Sequence, residues 1–515
     1  MLQLCFLIYP RETMEPAFDV RRLSFGALSA ERDINEGLKS YFVESDAYRN
    51  LRDGKKMVAL GNRGAGKSAI FKMIAEHERA RKSVVIELSP EDYSYELLAK
   101  TMLPEERGSW AKHGAYTAAW KHLLYVLVMK EAVRQGAAIK TGAEAKIYEY
   151  LRDKHKHTET NPVGMLISYL KRLEGIKIGN FEASLKAREL QQLYSLEELA
   201  PLLEPLNSLC KRRRVVVLID ELDKGWDKSE DAVAFVAGLF QASVAITQQT
   251  PHLRVLISLR RELYESIPAL YDDAQKVRDI IQTIEWDEPQ LLDLIARRIA
   301  HSLPDTTKLS PESRWNIVFS ETLDYRKTKS FNYLVDRTLY RPREMIQLAI
   351  LIREHMVDSN HGLPADYQII SEAEVGYSEE RLKDIASEYR FQYPGLRSVF
   401  DTFRGLRYNF DRSDLELHCL SIATGEMKVD SDAKTWCADM DPEEMIKTLW
   451  HVGFIRARAV GGLKARRRSG SSYLGSHQIT SLGLSNIQHF HVHPMFRAFL
   501  GMKEAKEQKN ENEII

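Results

Sequence analysis

Short apolar runs and amphipathic segments alternate along much of the chain. Five runs are predicted to be strands, of which the third has the continuous apolar character of a strand buried on both faces and the fifth is predicted to lie at the edge of a sheet. They span 57–60, 83–88, 214–221, 253–259 and 280–284. Helical spacing of apolar residues separates them, as in AIFKMIAE after the first run and DAVAFVAGLFQASVAI after the third. This alternation predicts an α/β fold built on a parallel sheet.

Two regions are predicted to be mainly helical. Apolar residues recur at helical spacing from about 98 to 210, which interrupts the α/β pattern with a helical insertion, and again from 287 to about 390. Asp287 and Pro289 are the N-cap and the first turn expected of the first helix in the second region.

Residues 391–502 have a different pattern. The sequence DPEE at 441–444 is a helix start, and the helix MIKTLWHV is predicted to end at Gly453. An alternating strand (FIRARAV), a Gly-, Ser- and Arg-containing loop at 461–485 and a second alternating strand (HFHVH) follow. Helix, strand, loop and strand in this order predict a winged-helix-like domain. The polar tail at 503–515 is predicted to be flexible.

The first predicted strand leads into a complete phosphate-binding motif, G-x-x-x-x-G-K-S. Its glycines allow backbone N–H groups to converge on phosphate oxygens, its lysine reaches the β and γ oxygens, and its serine hydroxyl ligates Mg²⁺. A strand before the motif and a helix after it are the context that this mechanism requires. The residues predicted to hold the nucleotide are Gly61, Asn62, Arg63, Gly64, Ala65, Gly66, Lys67 and Ser68.

The third predicted strand ends in Asp220 and Glu221, the pattern known as Walker B. Asp220 is predicted to hold Mg²⁺ through its water shell, and Glu221 to orient or deprotonate an attacking water. The second acid favours ATP hydrolysis, because phosphate-loop kinases and GTPases need no carboxylate there. Both motifs lie at the carboxyl ends of strands, where open parallel sheets bind ligands. We therefore expect ATP and Mg²⁺ as cofactors, with Ser68 and Asp220 as the Mg²⁺ ligands.

Three further polar residues are candidates for contact with the γ-phosphate. Ser258 interrupts the apolar run LRVLISLR on a strand predicted to lie beside Walker B, and the alternative is a core serine. Arg260, or its neighbour Arg261, is either an arginine finger or the solvated start of a helix. Arg343 follows a proline in the first turn of a helix and is predicted to be a sensor arginine, the alternative being a surface arginine.

This set of motifs resembles the additional-strand, catalytic-glutamate ATPases, and more narrowly the group near the origin-recognition, KAP and STAND ATPases. The segments GNRGAGKSAIFK, LIDELDKGWD, ISLRRELYESIPALYDDAQKVRDII and DRTLYRPREMIQLA look like a family of bacterial single-chain ATPases, some of which look like components of phage-defence loci. The resemblance covers about 20–350 and implies that a helical lid and a winged helix follow the nucleotide core. The chain departs from ring-forming AAA machines in the long separation of Lys67 from Asp220 and in lacking an obvious hexamer-type finger motif.

The predicted organisation is therefore an N-terminal extension, a phosphate-loop ATPase core with a helical insertion, a helical lid, a winged-helix-like domain and a tail. The extension is 1–30, and the ATPase core is 31–97 and 211–286, with the helical insertion at 98–210 between its two pieces. The lid is 287–390, the winged-helix-like domain is 391–502 and the tail is 503–515.

Composition limits the partners and the compartment. The 515 residues contain 73 Lys and Arg and 73 Asp and Glu, so global charge attracts neither nucleic acid nor a membrane. The four cysteines lack metal-binding spacing, as expected of reduced thiols in the cytosol. No apolar run approaches the length of a membrane helix, and the apolar start MLQLCFLIYP lacks the basic region and cleavage site of a signal peptide. We expect a cytoplasmic protein without a membrane partner.

Basic residues cluster in the predicted wing and on the strand before it. Such a cluster can neutralise several nucleic-acid phosphates, and the alternative is an ordinary solvated loop. The residues are Lys464, Arg466, Arg467 and Arg468 in the loop, with Arg456 and Arg458 on one face of the strand. A second basic run, 211–214, is interpreted as a surface edge before the Walker B strand.

Three histidines alternate along the strand HFHVH. His489, His491 and His493 share one face, which leaves Phe490 and Val492 for the core. A metal site is disfavoured, because no fourth ligand is apparent and strand alternation explains the spacing.

Three functions are compatible with these patterns. The preferred one is an ATP-hydrolysing switch or DNA-associated ATPase, in which the nucleotide state alters contact with a nucleic acid or a protein effector. The second is a small-molecule phosphotransferase that uses the insertion as an acceptor lid, and the third is a slow-turnover nucleotide-dependent scaffold. Glu221, Arg343 and the winged-helix-like order favour the first. Oligomeric state and partner stay open at this stage.

Overall fold

The structure is a computed structural model that describes residues 19–88, 109–134, 142–154, 198–222, 226, 229–267, 278–458, 473–478 and 483–503. Two compact units account for the described residues. The N-terminal unit comprises residues 29–39 and 44–285, and the C-terminal unit comprises 19–28, 40–43 and the residues from 286 onwards. Each unit has its own hydrophobic core.

A five-stranded parallel sheet forms the centre of the N-terminal unit, as the sequence predicts. Its strands are β1 (Val58–Gly61), β2 (Val84–Leu88), β3 (Val215–Ile219), β4 (Leu253–Arg260) and β5 (Ile281–Thr283). The spatial order is β2-β3-β4-β1-β5, so the predicted edge position of the fifth strand is confirmed. Strand β4 lies between the strand that leads to the phosphate loop and the strand that precedes Asp220.

Helices of the N-terminal unit cover the sheet, and the short α2 continues into residues 40–41. They are α1 (Ala30–Glu36), α2 (Leu38–Tyr41), α3 (Asp46–Arg52), α4 (Lys67–Ala80), α5 (Ser109–Arg134), α6 (Ala143–Lys154), α7 (Ala200–Arg212), α8 (Glu230–Gln249) and α9 (Arg261–Glu265). Every residue of β3 is buried, which explains why VVVLI is apolar without alternation.

Helices α5 and α8 pack closely in this core. The indole Nε1 of Trp120 donates to the Phe235 carbonyl at 3.1 Å. A Cβ at Gly238 would lie 2.7 Å from the Cβ of Tyr116, so only glycine permits this approach of the two backbones.

Helix α8 corrects one expectation from the sequence. Residues 232–249 have a mean hydropathy of 1.3, and the helix is long and apolar enough to cross a membrane. The expectation that no segment reaches this level is therefore wrong. Within the protein, 61% of that stretch is buried, because α8 packs between α5 and the sheet.

The C-terminal unit is mainly helical and also contains two small sheets. Its helices are α10 (Glu288–Ser302), α11 (Pro311–Val318), α12 (Ser330–Val335), α13 (Pro342–Asp358), α14 (Tyr367–Glu388), α15 (Leu396–Asp401), α16 (Arg412–Ala423), α17 (Ser431–Cys437), α18 (Pro442–His451) and α19 (Pro494–Leu500). Short 3-10 turns occur at Val20–Arg22, Pro304–Thr306, Tyr325–Lys327 and Leu484–Asn486.

The larger of these sheets is antiparallel and has the order β10-β9-β11-β8. The strands of the two sheets are β6 (Thr322–Leu323) paired with β7 (Thr328–Lys329), and β8 (Asn409–Asp411), β9 (Ile455–Arg458), β10 (Tyr473–Leu474) and β11 (His489–Val492). Phe490 and Val492 are fully buried, as predicted.

Two predicted helix starts are confirmed in this unit. Asp287 and Gln290 form a capping box at the start of α10. The Asp441 carboxylate accepts from the Glu443 N–H at 2.7 Å at the start of α18, and Gly453 follows that helix with φ +84°.

Candidate nucleotide-binding site

The phosphate loop is a tight turn between β1 and α4. Gly64 and Gly66 have φ values of +79° and +94°, a conformation that a side chain would strain, and Gly66 is the N-cap of α4. A Cβ at Gly61 would lie 3.2 Å from the Cβ of Ala65. The loop therefore needs its three glycines for two different reasons, backbone conformation and close approach.

The phosphate loop is a region of positive charge. The Lys67 ammonium donates to the carbonyls of Gly61 and Asn62, at 2.8 and 3.0 Å, so it lies against the start of the loop. The dipole at the start of the 14-residue helix α4 adds to that charge. These features fit the phosphate chain of a nucleotide.

The carboxylates of Asp220 and Glu221 follow directly after β3. The Asp220 N–H donates to the Leu88 carbonyl at 3.0 Å, and the Glu221 N–H donates to the Asp220 carboxylate at 2.8 Å. Glu221 has φ +61°, a left-handed conformation that costs a non-glycine residue on the order of 1 kcal/mol or more. Such strain concentrates at functional sites, where the surrounding structure holds it.

Strand register places Asp220 and Ser258 on one face of the sheet. Ile219 of β3 and Ile257 of β4 are register partners, so the next residues, Asp220 and Ser258, are level with each other. Both isoleucines belong to the core formed with α5 and α8. Because side chains alternate between faces, Asp220 and Ser258 project to the opposite face.

Helix α4 covers that opposite face. Glu87 of β2 shares the face of Leu218 in β3 and forms an ion pair of 2.7 Å with Lys72 of α4. The face that carries Asp220 is therefore the one covered by the helix that begins with Lys67 and Ser68. This arrangement fits Mg²⁺ held by Ser68 and Asp220.

Ser258 is almost fully buried, with 2% of its surface exposed. Its hydroxyl has no hydrogen-bond partner among the described residues. A buried polar group without a partner is costly.

Arg260 is at the end of β4, beside the phosphate loop. It is the register partner of Gly61 and the N-cap of α9. Its neighbour Arg261 lies 3.4 Å from the Glu285 carboxylate. Arg260 therefore lies at the start of a helix, which is one of the two alternatives given above. Its role as an arginine finger stays a prediction.

Arg343 lies in the C-terminal unit, in the first turn of α13, and is half-buried. Beside it, the buried Arg341 guanidinium contacts Glu388 at 2.7 Å and Glu344 at 3.7 Å. Burial lowers the pKa of Arg341, but these two carboxylates outweigh burial and raise it overall. The preceding Tyr340 has φ +59°. The chain around Arg343 is thus tightly constrained, while its sensor role stays a prediction.

Sequence patterns missed the role of Arg254. From β4 its guanidinium donates to the carbonyls of Arg52 at 3.0 Å and Leu51 at 2.6 Å, and it lies 3.4 Å from the buried Glu78 carboxylate. It joins α3, α4 and β4 at the amino end of β4. The signal was available, since a charged residue interrupts the apolar run LRVLISLR.

Arg456 is a correction to the predicted basic cluster. It is fully buried, and its guanidinium contacts the Asp336 carboxylate at 2.7 Å, the Asp336 carbonyl at 2.9 Å and His493 at 2.6 Å. Arg456 therefore cannot contact nucleic acid, whereas Arg458 on the same strand is exposed. The four wing residues, Lys464 and Arg466 to Arg468, lie outside the described residues.

The three histidines of β11 have separate partners. His489 contacts the Asp411 carboxylate at 2.7 Å, and the His491 ring stacks on Tyr473 with centroids 3.9 Å apart. His493 is buried against Arg456. Within the part of the chain that the structure describes, no group of three metal-binding side chains occurs.

Comparison with known proteins finds similarity to a domain family, to a curated protein and to solved structures. Residues 289–386 match the family of FunZ-associated C-terminal helical domains. A "Putative transposon gamma-delta 80.3 kDa protein" of Escherichia coli (strain K12) is 24% identical over 516 residues, which cover 95% of this chain and 70% of that protein. The structure of the Aeropyrum pernix ORC2 protein, described as ADPNP-ADP complexes, has 12% identity and a TM-score of 0.35 over 95% of this chain and 94% of that one. At this TM-score the likeness does not establish a shared fold.

Proposed function

We propose that this chain is a Mg²⁺-dependent ATPase that works as a nucleotide-dependent switch. The observation that carries the proposal is the position of β4 between β1 and β3, with the phosphate loop and the Asp220-Glu221 pair at the same edge of the sheet. An additional strand between these two motifs, together with a glutamate after the Mg²⁺-binding aspartate, is the arrangement that the ATPases resembled by the sequence have in common.

Each residue has a defined task in this proposal. The loop N–H groups and Lys67 bind and orient the phosphates. Ser68 and Asp220 hold Mg²⁺, which neutralises negative charge on the phosphates when bound. Glu221 accepts a proton from the attacking water. Its φ of +61° is a strained backbone conformation at the end of β3, of the kind that concentrates at functional sites.

Ser258 has a proposed role as a γ-phosphate sensor. Its buried hydroxyl is level with Asp220, on the face covered by α4. A water or phosphate oxygen at that face would satisfy the hydroxyl. Ser258→Ala should reduce turnover. Ser243→Ala is the matched control, because Ser243 is a buried serine on α8 whose hydroxyl also lacks a partner among the described residues.

The test of the main proposal is a pair of variants measured for both binding and turnover. Lys67→Ala should abolish binding of a fluorescent ATP analogue. Glu221→Gln should bind ATP normally but hydrolyse it slower by a factor of about a hundred or more, the size of effect typical of a lost general base. Glu204→Gln, at an exposed position on α7, is the matched control and should be neutral.

Hydrolysis by Glu221→Gln at the wild-type rate would refute the catalytic assignment. Transfer of phosphate to a small molecule in place of water would support the phosphotransferase alternative. ATP binding without measurable turnover in the wild type would support the slow-turnover scaffold.

The C-terminal unit contains the elements that would carry the output of the switch. Helices α16, α17 and α18 precede β9, and the β9, β10 and β11 strands form an antiparallel sheet, which supports a winged-helix-like module. We propose that this module meets a nucleic acid or a protein effector in a bacterial defence setting, as the resemblance to phage-defence ATPases implies. The bacterial transposon-encoded relative is compatible with a role near mobile DNA.

A further inference from the structure

Four segments meet at the edge of the N-terminal sheet that is opposite the phosphate loop. They lead into β1, β2, β3 and β4, and they comprise residues 52–56, 79–82, 211–214 and 251–254. We call the surface that they form the basic edge. Since all four strands are parallel, their amino ends are at this edge and their carboxyl ends are at the nucleotide site.

Direct contacts make the basic edge continuous. The Arg213 Nε donates to the Lys82 carbonyl at 3.2 Å, and the first residue of β3 donates from its N–H to the His252 carbonyl at 3.3 Å. A Cβ at Gly54 would lie 3.3 Å from the Nε of Arg254. Each segment therefore touches the next across the width of four strands.

The exposed charge on this edge is mostly positive. Asp53 is the one acidic residue in the four segments. Arg79 is paired with Glu76 and Glu87. In the described residues, no carboxylate lies within ion-pair distance of the other exposed cations that follow. They are Lys55, Arg81, Lys82, Lys211, Arg212 and Arg214.

Helix dipoles account for part of this pattern. Basic side chains are favoured in the last turn of a helix, and the effect fades within that turn. Helix α4 ends at Ala80 and α7 ends at Arg212, which explains Arg79 and Lys211. The helix dipoles do not explain the exposed cations that lie beyond these helix ends, such as Arg214.

The cations are close enough to interact. Burial lowers the pKa of Arg254, Glu78 opposes this effect, and the nearby guanidinium groups of Arg214 and Arg81 lower the pKa further. Like charges held at short range raise the local potential, and a polyanion would relieve it. The chain has a formal net charge of +0. The positive charge of this edge is therefore local and does not reflect an excess of basic residues in the whole chain.

We propose that the basic edge binds the phosphate backbone of duplex DNA without reading its sequence. Strands are about 4.8 Å apart, so β2 to β1 spans roughly 14 Å. That width matches about four successive phosphate-to-phosphate steps of one DNA strand, each of which rises about 3.4 Å along the duplex axis.

The chemistry of the edge favours a duplex over a single strand. None of its four segments contains Phe, Trp or Tyr. Proteins that hold single strands usually stack the bases on such rings, whereas backbone contact with a duplex needs only cations. The inference is separate from the ATPase proposal, because the edge is at the opposite ends of the strands from Lys67.

The test replaces four exposed cations with glutamine in the full-length chain, in the variant Arg81→Gln, Lys211→Gln, Arg212→Gln and Arg214→Gln. Binding to a fluorescent duplex of mixed sequence is measured by anisotropy over a series of salt concentrations. We expect affinity at low salt to fall at least about tenfold. The slope of log K against log salt should flatten by about 3 to 4, since each lost phosphate contact contributes about 0.9.

A charge-matched control uses exposed cations elsewhere in the N-terminal unit. The variant Arg32→Gln, Lys146→Gln, Arg152→Gln and Lys154→Gln removes the same charge from α1 and α6 and should bind DNA like the wild type. Lys67→Ala should also keep DNA binding, which separates failure of this inference from failure of the ATPase proposal. Melting temperatures of both quadruple variants verify that they fold.

Three results would overturn the inference. The first is a wild type that does not bind duplex DNA at low salt. The second is an equal loss of binding in the edge variant and its control, which would indicate attraction by overall charge. The third is equal binding of polyglutamate and duplex DNA by the wild type, which would indicate an acidic protein partner.

Discussion

The Arg456 guanidinium lies 2.7 Å from the Asp336 carboxylate and joins β9 to the residue that follows α12. Arg456 is fully buried, while the Asp336 side chain is 30% exposed. A buried arginine with a carboxylate, a carbonyl and an imidazole around it has a structural task. In the C-terminal unit that task is to hold the antiparallel sheet to the helices that precede α13.

Arg456→Ala should therefore destabilise the C-terminal unit. Loss of one member of a buried ion pair costs about 3–5 kcal/mol, and the lower end applies because water reaches Asp336. The change in the free energy of unfolding is measured by urea denaturation, followed by the fluorescence of the tryptophans in the C-terminal unit. Arg458→Ala is the control, since that neighbour is exposed, and it should alter the free energy of unfolding by less than about 0.5 kcal/mol. Equal stability of the two variants would contradict the structural role.

Arg343→Ala tests the proposed sensor. If Arg343 contacts charge that develops on the γ-phosphate, the variant should lower the ATPase kcat much more than it weakens ATP binding. A nearby control is Arg353→Ala, which removes an arginine from the same helix α13 ten positions further along. Wild-type turnover in Arg343→Ala would identify it as a surface arginine.

His418 should make stability depend on pH. Burial lowers the pKa of its imidazole to about 4, against 6.5 for a free histidine. Between pH 6.5 and 4 the unfolded chain binds the proton and the folded chain does not, so stability is lost as the pH falls through this window. From pH 7 to 5 the expected loss is about 2 kcal/mol.

His418→Phe should remove this dependence. The ring lies beside Phe403, at a centroid distance of 4.2 Å, so a phenyl ring suits the site even though the contact of His418 with the Thr402 hydroxyl is lost. The free energy of unfolding is measured at pH 5, 6 and 7 in both proteins. The exposed His451 serves as the control position. An identical pH profile in wild type and His418→Phe would disprove the assignment.

The predicted basic wing has a separate test. Replacing Lys464, Arg466, Arg467 and Arg468 with alanine should weaken binding to nucleic acids of every sequence alike and flatten its salt dependence, because phosphate contacts act through counterion release. The assay is the one used for the basic edge, so the two surfaces can be compared directly. If the wild type retains neither DNA nor RNA at low salt, a protein partner that contacts the helical insertion becomes the preferred interpretation.

Local patterns were sufficient to predict the parallel sheet. Strands such as β3 are apolar throughout because both of their faces are buried, and this property is visible in five residues. The phosphate loop was equally readable, since Gly64 and Gly66 adopt conformations that favour glycine. Helix caps such as Asp287 depend on a few neighbouring residues and were also predictable.

The interpretation of charged residues required the tertiary structure. Arg456 and Arg458 have the same chemistry and the spacing of one strand face, yet one is buried against Asp336 and the other is exposed. Likewise, the basic edge combines four segments that are far apart in the chain. Side chains from distant segments meet only when strands pair, so their partners, burial and combined field do not appear in local spacing. Motif chemistry and strand pattern are properties of short segments, whereas the environment of a charge is a property of the folded chain.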